Sequence, residues 1–163
     1  MAKRLDPRAG LCILIALCVL LGAGCLYLWT GQRGVEGKLS DALSDSFVCV
    51  DTTFERICGE QEPSVWDMQE LKTAVDQLCG QLQLLYHAEA VEDHLDMAYA
   101  YNMFMRLSAY LQEAIEASVQ AGSPPPALHE ELDSIYDLMQ STGNVMNAAK
   151  ALEESPLLGP DYF

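Results

Sequence analysis

Apolar residues recur at steps of three and four along most of the chain after residue 35. This spacing places them on one face of an α-helix. Glycine and proline divide the pattern into four segments, at about residues 35–58, 64–85, 88–121 and 127–153. The inward stripe of the first helix is Val35, Leu39, Leu43, Phe47, Val50, Phe54 and Ile57, and that of the second is Met68, Leu71, Val75, Leu78, Leu82 and Leu85. No segment alternates apolar and polar residues with the period of a β-strand. The pattern therefore predicts an all-α fold in which four amphipathic helices bury their apolar faces against one another.

The ends of the predicted helices carry residues that favour starting or stopping a helix. Pro63 follows the first segment, and Ser64 with Asp67 resembles a capping box at the start of the second. Gly122 and three consecutive prolines end the third segment. Gly143 lies inside the fourth segment, which we still expect to form one helix that is weakened at its middle. Because the connections are short, the sequence predicts an antiparallel four-helix bundle.

The N-terminal part of the chain has a different pattern. Residues 11–29 contain no charged residue, and their number is close to the roughly 20 residues that a helix needs to cross a bilayer. Three basic residues precede them, which favours a cytoplasmic N-terminus. We therefore predict a single-pass protein of the cell membrane. Its parts are a short cytoplasmic N-terminus (1–10), a transmembrane anchor (11–30), an extracytoplasmic helical bundle (31–153) and a C-terminal tail (154–163).

Cys25 offers an alternative to an uncut anchor. The sequence Gly-Ala-Gly-Cys before and at this position resembles the site where a bacterial lipoprotein is cleaved and lipidated. A lipoprotein signal prefers leucine three residues before the cysteine, where this chain has Gly22. The four residues after Cys25 are apolar, whereas mature lipoproteins usually become polar at once. We therefore favour an uncut anchor and keep lipidation of Cys25 as the alternative.

Charge is distributed very unevenly along the chain. The protein has 24 acidic and 9 basic residues and a net charge of −15. Lys3, Arg4, Arg8 and Asp6 are the charged residues of the first 30, so 23 acidic and 6 basic residues remain in the predicted exported part. A surface this negative repels nucleic acid and anionic lipid headgroups. We therefore expect no nucleic-acid partner.

The sequence contains no recognisable catalytic or metal-binding motif. A di-iron site in a helical bundle needs a glutamate three residues before each histidine. The residues three before His87, His94 and His129 are Leu84, Val91 and Pro126. There is no Cys-x-x-Cys, no phosphate-binding glycine loop and no EF-hand spacing. We therefore expect a protein that is not an enzyme and that needs no cofactor or metal.

Three cysteines, Cys49, Cys58 and Cys79, lie in the predicted exported part. In a hairpin of the first two helices, Cys49 and Cys79 are offset by about 9 Å along the helix axis, which exceeds the reach of a disulfide. The main interpretation is free, buried thiols. A bridge in a different register, an intermolecular bridge and metal binding remain open alternatives.

The third predicted helix has a second apolar stripe. Beside its main stripe, it carries Tyr99, Met103, Arg106 and Tyr110 at steps of four, three and four. One interpretation is that this helix contacts two neighbours inside the bundle. The other is that the four residues form a partner-binding face, because Tyr, Met and Arg are enriched at interfaces. The tail at 154–163 poses a similar choice between docking on the bundle, binding a partner and disorder.

Three stretches resemble one known family. They are ELKTAVDQLCGQLQLL, AYAYNMFMRLSAYLQEAI and AGSPPPALHEELDSIYDLMQSTGNVMNAAKAL. In order and pattern they are similar to the N-terminal helical region of YpeB-type spore germination proteins. Those proteins begin with one membrane helix, continue as a run of helices outside it, and are linked to the stability and control of a cortex-lytic enzyme. The resemblance implies a role in sporulation or germination, and it transfers no functional residue.

These observations together predict a function. We expect a membrane-anchored, non-enzymatic helical protein that binds or stabilises another envelope protein, or that associates with itself. The alternative is an extracytoplasmic sensory or ligand-binding four-helix module. The stripe on the third helix and the C-terminal tail are the surfaces that the sequence proposes for partner binding.

Overall fold

The computed structural model describes the backbone of residues 7–59, 63–87, 94–140 and 142–158. Within these ranges it also describes the side chains, except those of residues 7–20, 23, 26–36 and 94. All regular secondary structure in these ranges is helical, so the predicted all-α class is confirmed there. The helices are α1 (Pro7–Cys58), α2 (Val65–His87), α3 (His94–Ala121), α4 (Leu128–Gln140) and α5 (Val145–Glu153), followed by a short 3₁₀ turn, η1 (Pro156–Leu158).

The chain divides into two compact units, Met1–Lys38 and Leu39–Phe163. The first unit contains the N-terminal part of α1 and the whole of the predicted anchor at 11–30. Most side chains of that anchor lie outside the described residues. Among the residues that the structure describes, no helix is both long and apolar enough to span a bilayer.

In the second unit, the apolar stripes that the sequence predicts come together in one core. The predicted inward positions of α2 are all buried, as are those of α1 from Phe47 onward. Full burial of one large apolar side chain contributes about 1.5–3 kcal/mol to the stability of the fold. The largest fully buried side chains include Phe54, Ile57, Met68, Leu71, Leu78, Leu82, Phe104, Leu107, Leu111, Leu128, Leu132 and Ile135.

Contacts between side chains show how the helices of this unit are paired. The Ser108 hydroxyl of α3 donates a hydrogen bond to Asp76 of α2 at 2.5 Å. The ring of Phe54 on α1 stacks on that of Tyr136 on α4, with 5.9 Å between centroids. Phe47 of α1 meets Phe104 of α3 edge to face. Val145, Ala148, Ala149 and Leu152 of α5 belong to the same cluster, so the core lies between all five α-helices, with bundle-like packing.

The turn between α1 and α2 is fixed by the predicted capping box, which is confirmed. The backbone N–H of Ser64 donates to the Asp67 carboxylate at 2.9 Å, and the N–H of Asp67 donates to the Ser64 hydroxyl at 3.3 Å. Arg56 at the end of α1 pairs with Asp67 at 2.9 Å and with Glu70 at 2.7 Å. The hydrogen bonds from the Ser64 hydroxyl and from Arg56 lower the pKa of Asp67 to about 2.

The fourth predicted helix is wrong in one respect, because the structure divides it into α4 and α5. Gly143 adopts φ +68°, a left-handed conformation that a continuing α-helix does not contain. The side-chain oxygen of Asn144 then accepts a hydrogen bond from the backbone N–H of Asn147 at 2.9 Å and starts α5 as its N-cap. We expected Gly143 only to weaken one continuous helix, whereas α4 ends at Gln140 and α5 begins at Val145.

Two predicted boundaries fall at or beyond the edges of the described residues. The third helix was expected to start near Ala88, but α3 begins at His94 and residues 88–93 lie outside the description. In the C-terminal tail, η1 follows α5 and the side chain of Leu158 is buried against the core. Residues 159–163 lie outside the described part of the chain. As far as Leu158, the tail docks on the bundle.

Candidate interaction surfaces

The predicted partner-binding stripe on α3 faces other parts of the same chain. Met103 and Tyr110 are only 3% and 7% exposed, and Tyr99 and Arg106 are half-buried. The Tyr99 hydroxyl donates to the carboxylate of Glu153 on α5 at 2.6 Å. These positions thus form part of the contact between α3 and the C-terminal helices.

Two further polar contacts attach the same stripe to the C-terminal segment. Arg106 Nη1 donates to the carbonyl oxygen of Leu158 at 3.3 Å. The Tyr110 hydroxyl donates to the carboxylate of Glu131 on α4 at 2.5 Å. Burial, and then the hydrogen bond to Glu153, raise the pKa of Tyr99 to about 12. A partner would reach this stripe only after the C-terminal segment had moved, and a binding role for it stays a prediction.

A second surface is a groove between α1 and the junction of α4 with α5. It has a volume of about 370 Å³ and opens to solvent. Val48, on its α1 side, is 55% exposed although it is a large apolar residue. The apolar residues that line the groove are Leu43, Phe47, Val48, Met139, Val145 and Met146.

The groove owes its shape to the interruption of the helix between Gln140 and Val145. Gly143 and Asn144 turn the backbone there, and both of them line the groove. The last turn of α4 is closed by Thr142, whose hydroxyl donates to the carbonyl oxygen of Met139 at 2.7 Å. Beside this turn, Ser40, Ser44 and Val48 of α1 line the groove and stay exposed.

α1 and α4, which meet at the Phe54–Tyr136 ring contact, carry four carboxylates, and one of them, Asp51, lines the groove. We call Asp51, Glu55, Asp133 and Asp137 the acidic edge. The pKa of Tyr136, which lies among them, is raised by burial and by the negative charges of Asp51, Glu55 and Asp137. Burial and then the nearby Asp133 raise the pKa of the Cys58 thiol to about 12. The acidic edge is therefore a region of strongly negative potential beside an apolar groove.

Cys25, Cys49, Cys58 and Cys79 are free thiols. Cys25, the alternative lipidation site, is exposed on α1, and Cys49 is exposed further along the same helix. Cys79 is buried in the core, and burial raises the pKa of its thiol to about 12. The thiols are free as predicted, but the predicted burial holds only for Cys79, because Cys49 is exposed and Cys58 is half-buried. Lipidation of Cys25 stays a prediction.

The histidines do not assemble a metal site in the part of the chain that the structure describes. His87 is exposed, and the Nε2 atom of His129 lies 3.6 Å from Asp133, one turn along α4. Within the described ranges, no group of three or more potential ligands is positioned to hold a metal ion.

No protein-family model, curated protein or solved structure matches the chain. The resemblance to YpeB-type proteins thus stays a prediction from three stretches of sequence.

The sequence did not single out the groove or the acidic edge. On one continuous fourth helix, Asp133 and Asp137 would simply belong to a solvated face, and Val48 lies outside the apolar stripe of the first helix. The neighbouring Gly143 and Asn144 were the available sign, because glycine often ends a helix and asparagine often starts one. This pair therefore predicts a break in the fourth helix, and the groove lies beside that break.

Proposed function

We propose that the protein is a membrane-anchored, non-enzymatic helical module that binds another protein of the cell envelope. In this proposal, residues 11–30 form the anchor. The helices of the second unit form an antiparallel four-helix bundle outside the membrane, in which α4 and α5 together take the place of the fourth helix. The uncharged stretch at 11–29 and the basic residues before it support the anchor and its orientation. The resemblance to YpeB-type proteins supports a partner in sporulation or germination.

One observation carries the binding role, namely the open apolar groove beside α1. Large apolar side chains that are clustered and left accessible commonly mark a site of protein interaction. Here Leu43, Val48 and Met146 remain partly or largely exposed around one groove, while the residues beneath them belong to the core. A protein partner that covers this groove removes the exposed apolar surface from water.

The anchor is tested by adding charge to the uncharged stretch. Ile15→Arg combined with Val19→Arg should move the full chain from the membrane fraction to the soluble fraction, because arginine is costly at the centre of a bilayer. Replacing the same residues by leucine is the control and should leave the protein in the membrane. A C-terminus that is shielded from protease added to intact cells would contradict the proposed orientation.

The binding role is tested by photo-cross-linking in the cells that make the protein. A photo-reactive amino acid at position 48 should give one discrete adduct, which mass spectrometry identifies as an envelope protein. The same residue at Glu113, which is exposed on α3, is the control and should not give that adduct. Identical products at both positions, or none at position 48, would reject the proposal. Stabilisation by a small molecule bound in the groove, without any adduct, would favour the sensory alternative.

A further inference from the structure

We infer that the groove and the acidic edge together bind a basic amphipathic helix of the partner, with its apolar face in the groove and its Lys or Arg residues against the carboxylates. This inference rests on the proposed function and specifies the chemistry of the partner. The apolar lining and the charge of the surface both fit such a helix, and other occupants match the surface poorly.

The apolar lining fits one face of a helix. Side chains from α1 and from the α4–α5 junction form the two walls, with Val48 on one and Val145 and Met146 on the other. Amphipathic helices bind such grooves through apolar residues at positions i, i+3, i+4 and i+7. Met139 and Met146 are flexible and polarizable, so the lining adapts to the shape of the inserted side chains.

The acidic edge determines the charge of the occupant. Asp51 lines the groove itself, and Glu55 follows it by one turn on the same helix. Asp133 and Asp137 are one turn apart on the facing α4. Tyr136 lies on the same helix as Asp133 and Asp137, and its pKa is raised first by burial and then by the negative charges of Asp51, Glu55 and Asp137. A helix that carries Lys or Arg at one-turn intervals matches these carboxylates by charge.

Other occupants match this surface poorly. A second copy of the chain would bring a net charge of −15 against the acidic edge. The chain's own residues 159–163 contain Asp161 and no Lys or Arg. An anionic membrane surface or a nucleic acid would be repelled for the same reason. A segment that is both cationic and apolar remains as the occupant.

The test uses a synthetic peptide as the probe. A fluorescent peptide of leucine and lysine about 18 residues long, with the leucines on one helical face, spans about 27 Å when helical. A second peptide has the same composition in an order that spreads the leucines over all faces. Binding to the full chain in non-ionic detergent is measured by fluorescence anisotropy. The ordered peptide should bind at least about tenfold more tightly than the scrambled one.

Matched variants of the protein locate the binding site. Asp51→Asn with Asp137→Asn should weaken binding of the ordered peptide by about tenfold. Glu113→Gln with Glu116→Gln removes the same number of charges from exposed positions of α3 and should change binding by less than about twofold. Val48→Ser should weaken the ordered peptide and leave the scrambled one unchanged. Circular dichroism verifies that every variant keeps its helical content.

The possible outcomes separate this inference from the proposed function. Equal binding of the two peptides, or equal losses from the two pairs of charge variants, would mean general charge attraction and would overturn the inference. An adduct at position 48 whose cross-linked segment has no basic amphipathic helix, or is a second copy of this chain, would also overturn it. An envelope-protein adduct without such a helix would still support the proposed function. If no adduct formed at position 48, both the proposed function and this inference would be rejected.

Discussion

Tyr99 and Tyr110 make the same kind of bond from positions that differ in burial. Each hydroxyl donates to a glutamate of the C-terminal helices, but the Tyr110 ring belongs to the core, whereas Tyr99 lies partly in solvent. The value of an aromatic side chain to the fold depends mainly on the area that it buries. The two residues of the α3 stripe therefore differ in their contribution to stability.

We expect Tyr110→Ala to lower the free energy of unfolding by about 3–5 kcal/mol, because it leaves a cavity in the core. Tyr110→Phe keeps the ring, loses one hydrogen bond and should cost about 1 kcal/mol. Tyr99→Ala should cost less than Tyr110→Ala. Urea denaturation of the full chain in non-ionic detergent, followed by circular dichroism, measures all three.

A loss of partner binding without loss of stability in Tyr110→Ala would contradict this assignment. It would mean that the α3 stripe is a binding face, as the sequence also allowed. Met103→Leu is the control, since it keeps an apolar side chain of similar volume at a buried position and should cost less than about 1.5 kcal/mol.

Asp67 makes stability depend on pH at the α1–α2 turn. Its pKa is lowered from 3.8 to about 2 by the hydrogen bonds from the Ser64 hydroxyl and from Arg56. A carboxyl with a lowered pKa in the folded state stabilises the fold above its unfolded pKa. The stabilisation is therefore complete above pH 3.8 and is lost as the pH falls through about 2.

Asp67→Asn should be less stable than the wild-type protein at pH 6, and the difference should shrink as the pH falls from 4 to 2. Urea titrations at several pH values measure this difference. Glu113→Gln, an exposed charge elsewhere, serves as the comparison and should show no such convergence. A difference that is the same at pH 6 and at pH 2 would contradict the assigned contacts.

At the scale of the helices, two glycines have opposite roles. Gly143 has φ +68° between α4 and α5, and alanine is strained in that conformation. Gly80 lies within α2, and an added Cβ there meets no atom within 4 Å. Glycine inside a helix costs about 0.5–1 kcal/mol relative to alanine.

We therefore expect Gly143→Ala to lower the free energy of unfolding by about 1–2 kcal/mol and Gly80→Ala to raise it by up to about 1 kcal/mol. Thermal denaturation of the two variants in parallel measures both effects. If Gly143→Ala were the stabilising one, the break between α4 and α5 would be in doubt.

The sequence predicts the helices well because each one has a periodic apolar face. Met68, Leu71 and Leu78, for example, were expected to face inward on α2 and all are buried. The break in the fourth helix was missed because Met139 and Met146 are seven residues apart, which keeps the apolar spacing across the turn. Local conformation at Gly143 and capping by Asn144 outweigh that spacing.

The surfaces were harder to predict than the helices, because they depend on contacts between residues far apart in the sequence. The stripe of Tyr99 and Arg106 was compatible with a neighbour inside the chain or with a partner outside it. The choice depends on where Glu153 and Leu158 dock, which no local pattern specifies. The groove likewise requires α1 to lie beside the end of α4.

For the whole molecule, the excess of acidic residues means that salt should affect stability and partner binding in opposite directions. Like charges repel one another in a protein with a net charge of −15, and this repulsion opposes a compact state. Attraction between the acidic edge and a cationic partner is also electrostatic. Salt screens both interactions.

Raising sodium chloride from about 0.02 M to about 0.5 M should therefore raise the thermal midpoint of the protein and weaken its binding of the basic peptide. Glu113→Lys with Glu116→Lys makes the net charge less negative, so this variant should gain less stability from salt. Thermal denaturation and fluorescence anisotropy in the same buffers measure the two responses. A peptide affinity that is independent of salt would contradict an electrostatic role for the acidic edge.

The natural thiols of the second unit provide a means of observing the groove without changing its lining. Cys49 is exposed and follows Val48 directly, whereas Cys58 and Cys79 have pKa values of about 12. Because the thiolate is the reactive form, maleimide reagents at neutral pH should modify Cys49 well before those two cysteines. Replacing the cysteines at positions 12, 18 and 25 by serine would then confine an environment-sensitive dye to the margin of the groove. Its emission would report, in real time, when a ligand enters and leaves.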